Sequence, residues 1–264
     1  LKGIISFNEI SKKLDYFFYI QHTYPFDLSL FLESNKIDWS INKILINPFQ
    51  TKILNLINVD FKDPLKKISN IKKRTILVYA NTDILDLIYK DLTKEEVEKN
   101  WRVNFNQLFK KSIYLQDELK KYKINEKSFA IHVRFTSLMG DFIDSTSRVW
   151  TNEEKTKTLD KLESEIKNII LKQGDCCYLF SDSISFIELI NYKIKLNITE
   201  GIPIHTDLSS SSKNNQLFLK MFLDFFIMSK VSKVFFLKSE DMYNSSYSKY
   251  ASILGNNDFK KIVF

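Results

Sequence analysis

The stretch SFAIHVRFT, residues 128–136, consists largely of β-branched and aromatic residues in an alternating pattern, and it predicts a strand. Two further runs follow it along the chain: CCYLF at 176–180, which is wholly apolar, and KVFFL at 233–237, which is apolar after its first residue. Short runs of this kind are typical of strands buried on both faces of a parallel sheet. The three segments therefore predict strands of one sheet.

Helical patterns separate these strands. A charged amphipathic helix is predicted over 152–172, with Gly174 placed to end it. Three further helices are predicted over 183–192, 216–230 and 243–254. A last strand is predicted over 261–264. Strands that alternate with helices predict right-handed βαβ crossovers and a doubly wound parallel sheet, so the fold class is α/β.

The first half of the chain has a weaker pattern. A helix is predicted over 4–20, a buried strand over 75–80 (TILVYA) and mostly helix over 93–123. We interpret residues 1–125 as a smaller or incomplete α/β domain. Residues 126–264 form a second domain built on the parallel sheet.

The chain of 264 residues has a net charge of +7, which favours anionic partners such as phosphates, nucleic acid or an acidic membrane surface. The densest basic run is the IKKR segment at 71–74. Nucleic-acid binding needs exposed aromatic residues interleaved with basic ones, whereas the aromatic residues here lie mostly in apolar runs. We therefore expect no nucleic-acid partner, while peripheral contact with a membrane stays open.

Cys176 and Cys177 are adjacent in sequence, which rules out a disulfide framework or a cysteine-based zinc site. A reducing cytoplasm suits such a chain. No apolar stretch reaches the ~18 residues that span a bilayer, and no basic-then-apolar leader is recognised. Leu1 is not an initiator methionine, so earlier sequence can be missing.

Polar side chains follow the predicted strands, and ligands of doubly wound sheets bind beyond the carboxyl ends of the strands. His132 and Arg134 lie two residues apart and point to the same face. An arginine there can bind two phosphate oxygens at once, and the imidazole can donate to the same group. The alternative is a structural ion pair beside a core histidine.

Two aspartates have comparable alternatives. Asp182 follows the second strand, where it either binds ribose hydroxyls or the amino edge of a base, or caps the next helix. Asp224 lies in LKMFLDFFIM at 219–228, a helix that is apolar nearly all round. An unpaired carboxylate there costs several kcal/mol, so Asp224 must be paired or must meet a ligand.

Hydroxyl groups cluster where the helix after the third strand begins, and such a helix start binds anions or is simply capped. The residues concerned are Ser245, Ser246 and Ser248. No Gly-rich phosphate loop and no Asp-x-Asp metal motif occurs, and the histidines have no metal-ligand spacing: His22, His132 and His205. We expect no metal site.

In order and spacing these segments resemble the GDP-fucose-dependent fucosyltransferases of the α1,2/α1,6 and protein O-fucosyltransferase superfamily. IHVRFT resembles the family's strand ending in His-x-Arg, and YLFSDSISFIELI resembles its apolar strand followed by Thr-Asp-Asp. FLKMFLDFFIMSKVSKVFFLKSEDMYNSSYSKYASIL resembles its Asp-containing helix, next strand and Ser-x-Phe-Ser-like helix start. The likeness covers residues 128–255.

The resemblance implies a GT-B-like fold, in which two Rossmann-like domains with parallel sheets face each other across a cleft. Residues 126–264 are then the nucleotide-sugar-binding domain and residues 1–125 the acceptor-side domain, open to truncation at its start. The implied reaction is an inverting transfer of a sugar, most simply L-fucose from GDP-fucose, to a glycan acceptor. It needs neither a cofactor nor a metal.

The resemblance also assigns roles. Arg134 neutralises the β-phosphate of the donor, with His132 beside it. Asp182 shapes the nucleotide pocket, and Asp224 contacts the guanine or the ribose. The hydroxyl cluster forms the phosphate-binding helix start, through Ser245 first and then Ser246 and Ser248.

Departures from the family's pattern limit these implications. Phe135 and Ser137 stand where the family often has a second arginine and an aspartate, and the Gly-Asn-rich opening loop is not visible. The sugar is therefore open, with a GDP-heptose as the second possibility. Asp141 and Asp144 are the carboxylates available as the catalytic base, or both belong to a solvated loop. A non-catalytic basic binding protein on the same fold is the further alternative.

Overall fold

Strands and helices alternate in the computed structural model, which describes residues 1–41, 46–57, 62–142, 148–174, 176–204 and 215–264. The strands are β1 (Leu32–Ser34), β2 (Thr51–Asn55), β3 (Thr75–Tyr79), β4 (Phe109–Lys111), β5 (Phe129–Val133), β6 (Cys177–Ser181), β7 (Lys233–Lys238) and β8 (Asp258–Val263). The helices are α1 (Lys2–Lys13), α2 (Pro64–Ser69), α3 (Leu85–Ile88), α4 (Lys94–Leu108), α5 (Ile113–Lys120), α6 (Asn152–Gln173), α7 (Ile184–Lys193), α8 (Leu219–Met228) and α9 (Tyr247–Gly255).

The described chain divides into two compact units. The first comprises Leu1–His22 and Glu33–Lys110, and the second comprises Thr23–Leu32 and Lys111–Phe264. The second unit therefore begins before residue 126, where the sequence pattern places the boundary. Helix α5 belongs to it because α5 packs on α8. The segment Thr23–Leu32 also belongs to it, because Phe31 stacks on Phe222 and Phe26 contacts Phe222 edge to face.

Four parallel strands form the sheet of the second unit, in the order β6-β5-β7-β8. Chain order runs outward from β5, first to β6 on one side and then to β7 and β8 on the other. This is the doubly wound arrangement, and the strand order reverses between β5 and β7. The predicted α/β fold with a parallel sheet is confirmed, and the strand predicted over 128–136 is the shorter β5, which lies between β6 and β7.

Helices cover both faces of this sheet because its central strands are apolar on both faces. On one face the β5 residues Phe129, Ile131 and Val133 pack in a buried cluster with α6 and α7. On the other face α9 lies against β7 and also packs on α8. The alternation along β5 therefore sends Ala130 and His132 toward the side of α9.

Local signals set the ends of the helices. The capping box of Thr151 and Glu154 starts α6, and Gly174, at φ 97°, ends it as predicted. Helix α9 begins at Tyr247 rather than at residue 243, because Ser245 N donates to the carbonyl of Tyr243 in a turn that precedes the helix. The predicted strand at 261–264 begins earlier, at Asp258.

The first unit contains the parallel pair β2-β3, so the predicted strand over 75–80 is confirmed. The helix predicted over 4–20 ends at Lys13, and Asp15 adopts a left-handed φ of 55°. The segment 93–123 is mostly helical, as predicted, and contains α4 and α5. Strand β4 interrupts it, and Ser112 restarts the chain as the N-cap of α5.

No helix among the described residues is both long enough and apolar enough to cross a membrane.

Candidate functional site

Three strand ends meet at one edge of the sheet. The parallel registers place Val133 of β5 beside Ser181 of β6 and Leu237 of β7. Arg134, Asp182 and the segment leading to α9 therefore emerge together, as the strand-end rule predicts. The reversal of strand order falls between β5 and β7, where such sheets bind their ligands.

Arg134 is held from two directions. Its Nε lies 3.0 Å from Oδ2 of Asp182, and its guanidinium carbon lies 4.8 Å from the centre of the Phe142 ring. The Arg134 side chain keeps 23% of its surface exposed, whereas that of Asp182 keeps only 2%. Asp182 holds one edge of the planar guanidinium and Phe142 covers one of its faces, so the rest of the group is oriented toward the solvent at the end of the sheet.

Asp182 organises the loop that carries the arginine. It accepts hydrogen bonds from Phe135 N at 2.8 Å and from Thr136 N at 2.7 Å. Thr136 has a φ of 57°, a left-handed conformation that is unusual for a β-branched residue. Burial raises the pKa of Asp182, while Arg134 and the two backbone N–H groups oppose that shift. Asp182 is thus not the cap of α7, a role that Ser183 has.

His132 is a neutral, buried residue. Its Nδ1 lies 2.9 Å from Oγ of Ser248, and its ring stacks on Phe236 with centroids 5.3 Å apart. Burial, followed by the charge of Arg134, lowers the pKa of His132 to about 3. His132 therefore joins β5 to the first turn of α9. The sequence pattern predicts that Arg134 points to this same side of the sheet.

The start of α9 lies beside His132. Ser246 is the N-cap residue, Ser245 Oγ accepts a hydrogen bond from Tyr247 N at 3.3 Å, and Ser248 is fully buried against His132. First-turn N–H groups have no acceptor within their own helix, which makes such a start an anion site. Burial raises the pKa of Tyr247 well above its ordinary value, Asp224 adds to the shift, and Arg134 opposes it.

Asp141 is bound to the start of α7. Its Oδ2 accepts hydrogen bonds from Ser183 Oγ at 2.9 Å, from Ser185 N at 2.8 Å and from Ser185 Oγ at 2.7 Å. The structure thus gives Asp141 a capping position, and its role as a base stays a prediction. Asp144 and His205 lie outside the described residues.

Asp224 is paired inside the fold. Lys220, one turn earlier in α8, places Nζ 3.2 Å from Oδ2 of Asp224, and Thr199 donates to the same carboxylate. Lys220 Nζ also lies 2.5 Å from Thr199 Oγ1. Burial raises the pKa of Asp224, while Lys220 and Thr199 oppose that shift. The burial of Asp224 is therefore explained by this pair and no longer indicates a ligand.

Comparison with protein-family models and with curated proteins finds no match for this chain.

The structure brings together most of the residues that the sequence selects. Arg134, His132, Asp182 and the serines at the start of α9 converge at the end of the sheet where β5, β6 and β7 finish. Asp224 belongs to a separate buried cluster with Lys220 and Thr199. Among the described residues no group of three or more His, Cys, Asp or Glu is arranged to hold a metal ion. Chemically, an oriented arginine next to a helix start is suited to bind an anion such as a diphosphate.

Proposed function

We propose that this chain is an inverting glycosyltransferase that transfers a sugar from a GDP-sugar, most simply L-fucose from GDP-fucose, to a glycan acceptor. The proposal includes the GT-B arrangement of two Rossmann-like domains and a cytoplasmic location, which suits the two free cysteines. Its support comes from the order of the sequence motifs and from the arrangement of residues at the carboxyl ends of β5, β6 and β7.

One observation carries the proposal. Arg134 is fixed by Asp182 at 3.0 Å just beyond the carboxyl end of β5, the strand that His132 ties to the start of α9. A permanent cation and a helix N-terminus next to each other offset the charge of a diphosphate. The Asp182 contact orients the guanidinium before any ligand arrives, which reduces the cost of binding.

The proposed reaction is a single displacement. A hydroxyl oxygen of the acceptor forms a bond to the anomeric carbon of the sugar, and the bond from that carbon to the β-phosphate oxygen breaks. The electron pair leaves with GDP, and the hydroxyl proton passes to a base or to solvent. Negative charge grows on the leaving diphosphate, where Arg134 and the N–H groups at the start of α9 stabilise it.

A donor screen by thermal shift tests the proposal. At a concentration near 100 times its dissociation constant, a nucleotide that binds only the folded state stabilises it by about 2.7 kcal/mol, or roughly 5–10 °C in melting temperature. We expect this shift from GDP and GDP-fucose and a much smaller one from UDP and CMP. Release of GDP from GDP-fucose in the presence of glycan acceptors then measures the reaction.

The outcomes separate the alternatives. Stabilisation by GDP without turnover of GDP-fucose indicates another GDP-sugar, such as a GDP-heptose. Stabilisation by GDP without turnover of any GDP-sugar indicates a binding protein on this fold. Equal shifts with all three nucleotides, or none with any, would contradict the proposal that the chain uses a GDP-sugar.

A further inference from the structure

Positive charge is concentrated in one part of the first unit. Residues 46–79 contain seven Lys or Arg against two Asp, so five of the seven net positive charges of the chain lie in this segment. The seven basic side chains are all exposed. The proposed donor site does not use this segment, so its charge needs another explanation.

The segment builds a basic tip, which we define as Phe49, Lys72, Lys73 and Arg74. Phe49 lies in the turn before β2, and the three basic residues precede β3. Because β2 and β3 are parallel, both approaches meet at the amino end of the pair, where Thr75 N donates to the carbonyl of Gln50 at 3.1 Å. Lys73 Nζ donates to the carbonyl of Phe49 at 2.8 Å and ties the two approaches together.

Phe49 projects from this tip. Its side chain is 87% exposed, and its backbone is fixed by a hydrogen bond from Phe49 N to Asn47 Oδ1 at 2.9 Å. A phenylalanine in water forgoes about 1.5–3 kcal/mol that burial supplies. A fixed turn that presents this ring beside three cations is therefore suited to a partner that is both apolar and anionic.

The apolar character continues along the sheet. Ile53 of β2 lies opposite Leu77 of β3, and Tyr79 lies two residues further along on the same face. Ile53 is 57% exposed and Tyr79 is 52% exposed. One face of the β2-β3 pair thus carries aliphatic and aromatic side chains behind the basic tip.

We propose that the basic tip docks on an anionic lipid bilayer, with Phe49 inserted among the headgroups and Lys72, Lys73 and Arg74 over the acidic lipids. Anionic membranes attract basic clusters through the surface potential and bind exposed apolar side chains by burial. Ile53 and Leu77 favour a membrane over a nucleic acid, since aliphatic side chains provide no stacking surface for bases. This surface goes beyond the proposed transferase reaction and does not depend on it.

Sedimentation of the full chain with sucrose-loaded vesicles tests the proposal. We expect binding to vesicles with about 30% phosphatidylglycerol, little binding to pure phosphatidylcholine, and loss of binding between about 0.1 and 0.5 M NaCl. Neutralising Lys72→Gln with Arg74→Gln, which leaves the Lys73 bond in place, should weaken partitioning about 30-fold. Phe49→Ser should weaken it about tenfold.

Matched variants in the second unit provide the controls. Tyr192 is 90% exposed, so Tyr192→Ser removes an equally accessible aromatic ring outside the tip. Lys157→Gln with Lys161→Gln removes two exposed charges from α6. Both controls should sediment like the wild type, and an unchanged melting temperature of each tip variant shows that the fold is intact.

Three results would overturn the proposal. The wild-type chain stays in the supernatant with anionic vesicles, or the tip variants sediment as well as the wild type does. In the third, a single-stranded oligonucleotide binds through the same residues while vesicles do not, which makes the tip a nucleic-acid surface.

Discussion

Oδ2 of Asp182 lies 3.0 Å from Nε of Arg134, so the carboxylate after one strand holds the cation after its neighbour. The same carboxylate accepts the N–H groups of Phe135 and Thr136. One buried side chain therefore sets the conformation of the loop and the orientation of the guanidinium. The arrangement separates a positioning residue, Asp182, from the residue proposed to meet the diphosphate.

Replacement of Arg134 tests the proposed catalytic role. Arg134→Ala removes a charge-assisted interaction that strengthens as the bond to the diphosphate breaks, so kcat for transfer should fall by ~10²-fold or more. Arg134→Lys should restore little, since an ammonium cannot reproduce the planar, multidentate geometry. Steady-state kinetics with saturating donor measure both variants.

The loss of Arg134 also leaves Asp182 without its cation. We expect a decrease in stability of about 1–3 kcal/mol, so the assays belong well below the melting temperature. Arg148→Ala is the matched control, because Arg148 pairs with Glu154 on the exposed surface. Wild-type turnover in Arg134→Ala would show that Arg134 is structural only.

Metal dependence gives an independent test. In the proposed mechanism Arg134 and the start of α9 offset the charge of the leaving group. Transfer should therefore proceed at an unchanged rate in the presence of excess EDTA, measured as GDP released over time. A strict requirement for Mg²⁺ or Mn²⁺, restored by adding the ion back, counts against this mechanism.

Asp141 is the described candidate for the base, and its geometry favours a structural role. Three donors already meet its Oδ2 at the start of α7, so Asp141→Ala should cost about 1 kcal/mol of stability, as the loss of a helix cap does. We expect kcat to change only a few-fold. A fall of ~10²-fold with an unchanged melting temperature identifies Asp141 as the base instead.

The buried pair in α8 should behave as a stability element. Asp224→Leu leaves the Lys220 ammonium buried without its partner, which costs about 3–5 kcal/mol when a buried pair is broken in this way. Lys220→Met should cost a similar amount. The double variant Lys220→Met with Asp224→Leu should recover most of the loss, since apolar residues replace such pairs at little cost.

Urea denaturation of the four proteins completes the cycle for this pair. Coupling near zero contradicts the buried ion pair. Asp117 and Lys120 form an exposed pair one turn apart in α5, so the same cycle there should give a coupling below about 0.5 kcal/mol. Nucleotide affinity of Asp224→Asn, measured well below its melting temperature, tests the guanine contact that the family resemblance assigns.

Sequence patterns were sufficient to predict the second unit because its elements carry strong local signals. The runs at 176–180 and 234–237 are apolar throughout, and Gly174 ends α6 where a left-handed residue is needed. In the first unit the local sequence signals are weaker, and tertiary contacts determine the secondary structure instead. Helical propensity over 93–123 is overridden at β4, where residues 109–111 pair with β1.

The site was predictable as a set of strand ends but not as a set of contacts. Strand-end positions identify Arg134 and Asp182, since parallel strands finish at one edge. Their direct pairing and the Phe142 ring under the guanidinium depend on how the loop folds back, which no local pattern encodes. The Lys220 partner of Asp224 was visible as an i,i+4 spacing, a signal that the apolar surroundings obscured.

His132 makes stability depend on pH. Its pKa falls from the ordinary 6.5 to about 3 in the folded chain, so the unfolded chain binds the proton more tightly. The stability that neutral His132 contributes to the folded chain is fully present above pH 6.5 and is lost as the pH falls toward 3. Between pH 7 and pH 5 the free energy of unfolding should drop by about 2 kcal/mol from this residue.

His132→Asn isolates the pH-dependent contribution of His132 to the free energy of unfolding. The amide group can still bond Ser248 Oγ near the position of Nδ1, but it carries no titratable proton. Urea denaturation at pH 7 and pH 5 should give a smaller drop for His132→Asn than for the wild type, by about 2 kcal/mol. An identical pH dependence in wild type and His132→Asn would mean that His132 accepts a proton in the folded chain. That result would contradict the low pKa expected from the burial of its ring between Phe236 and Tyr247.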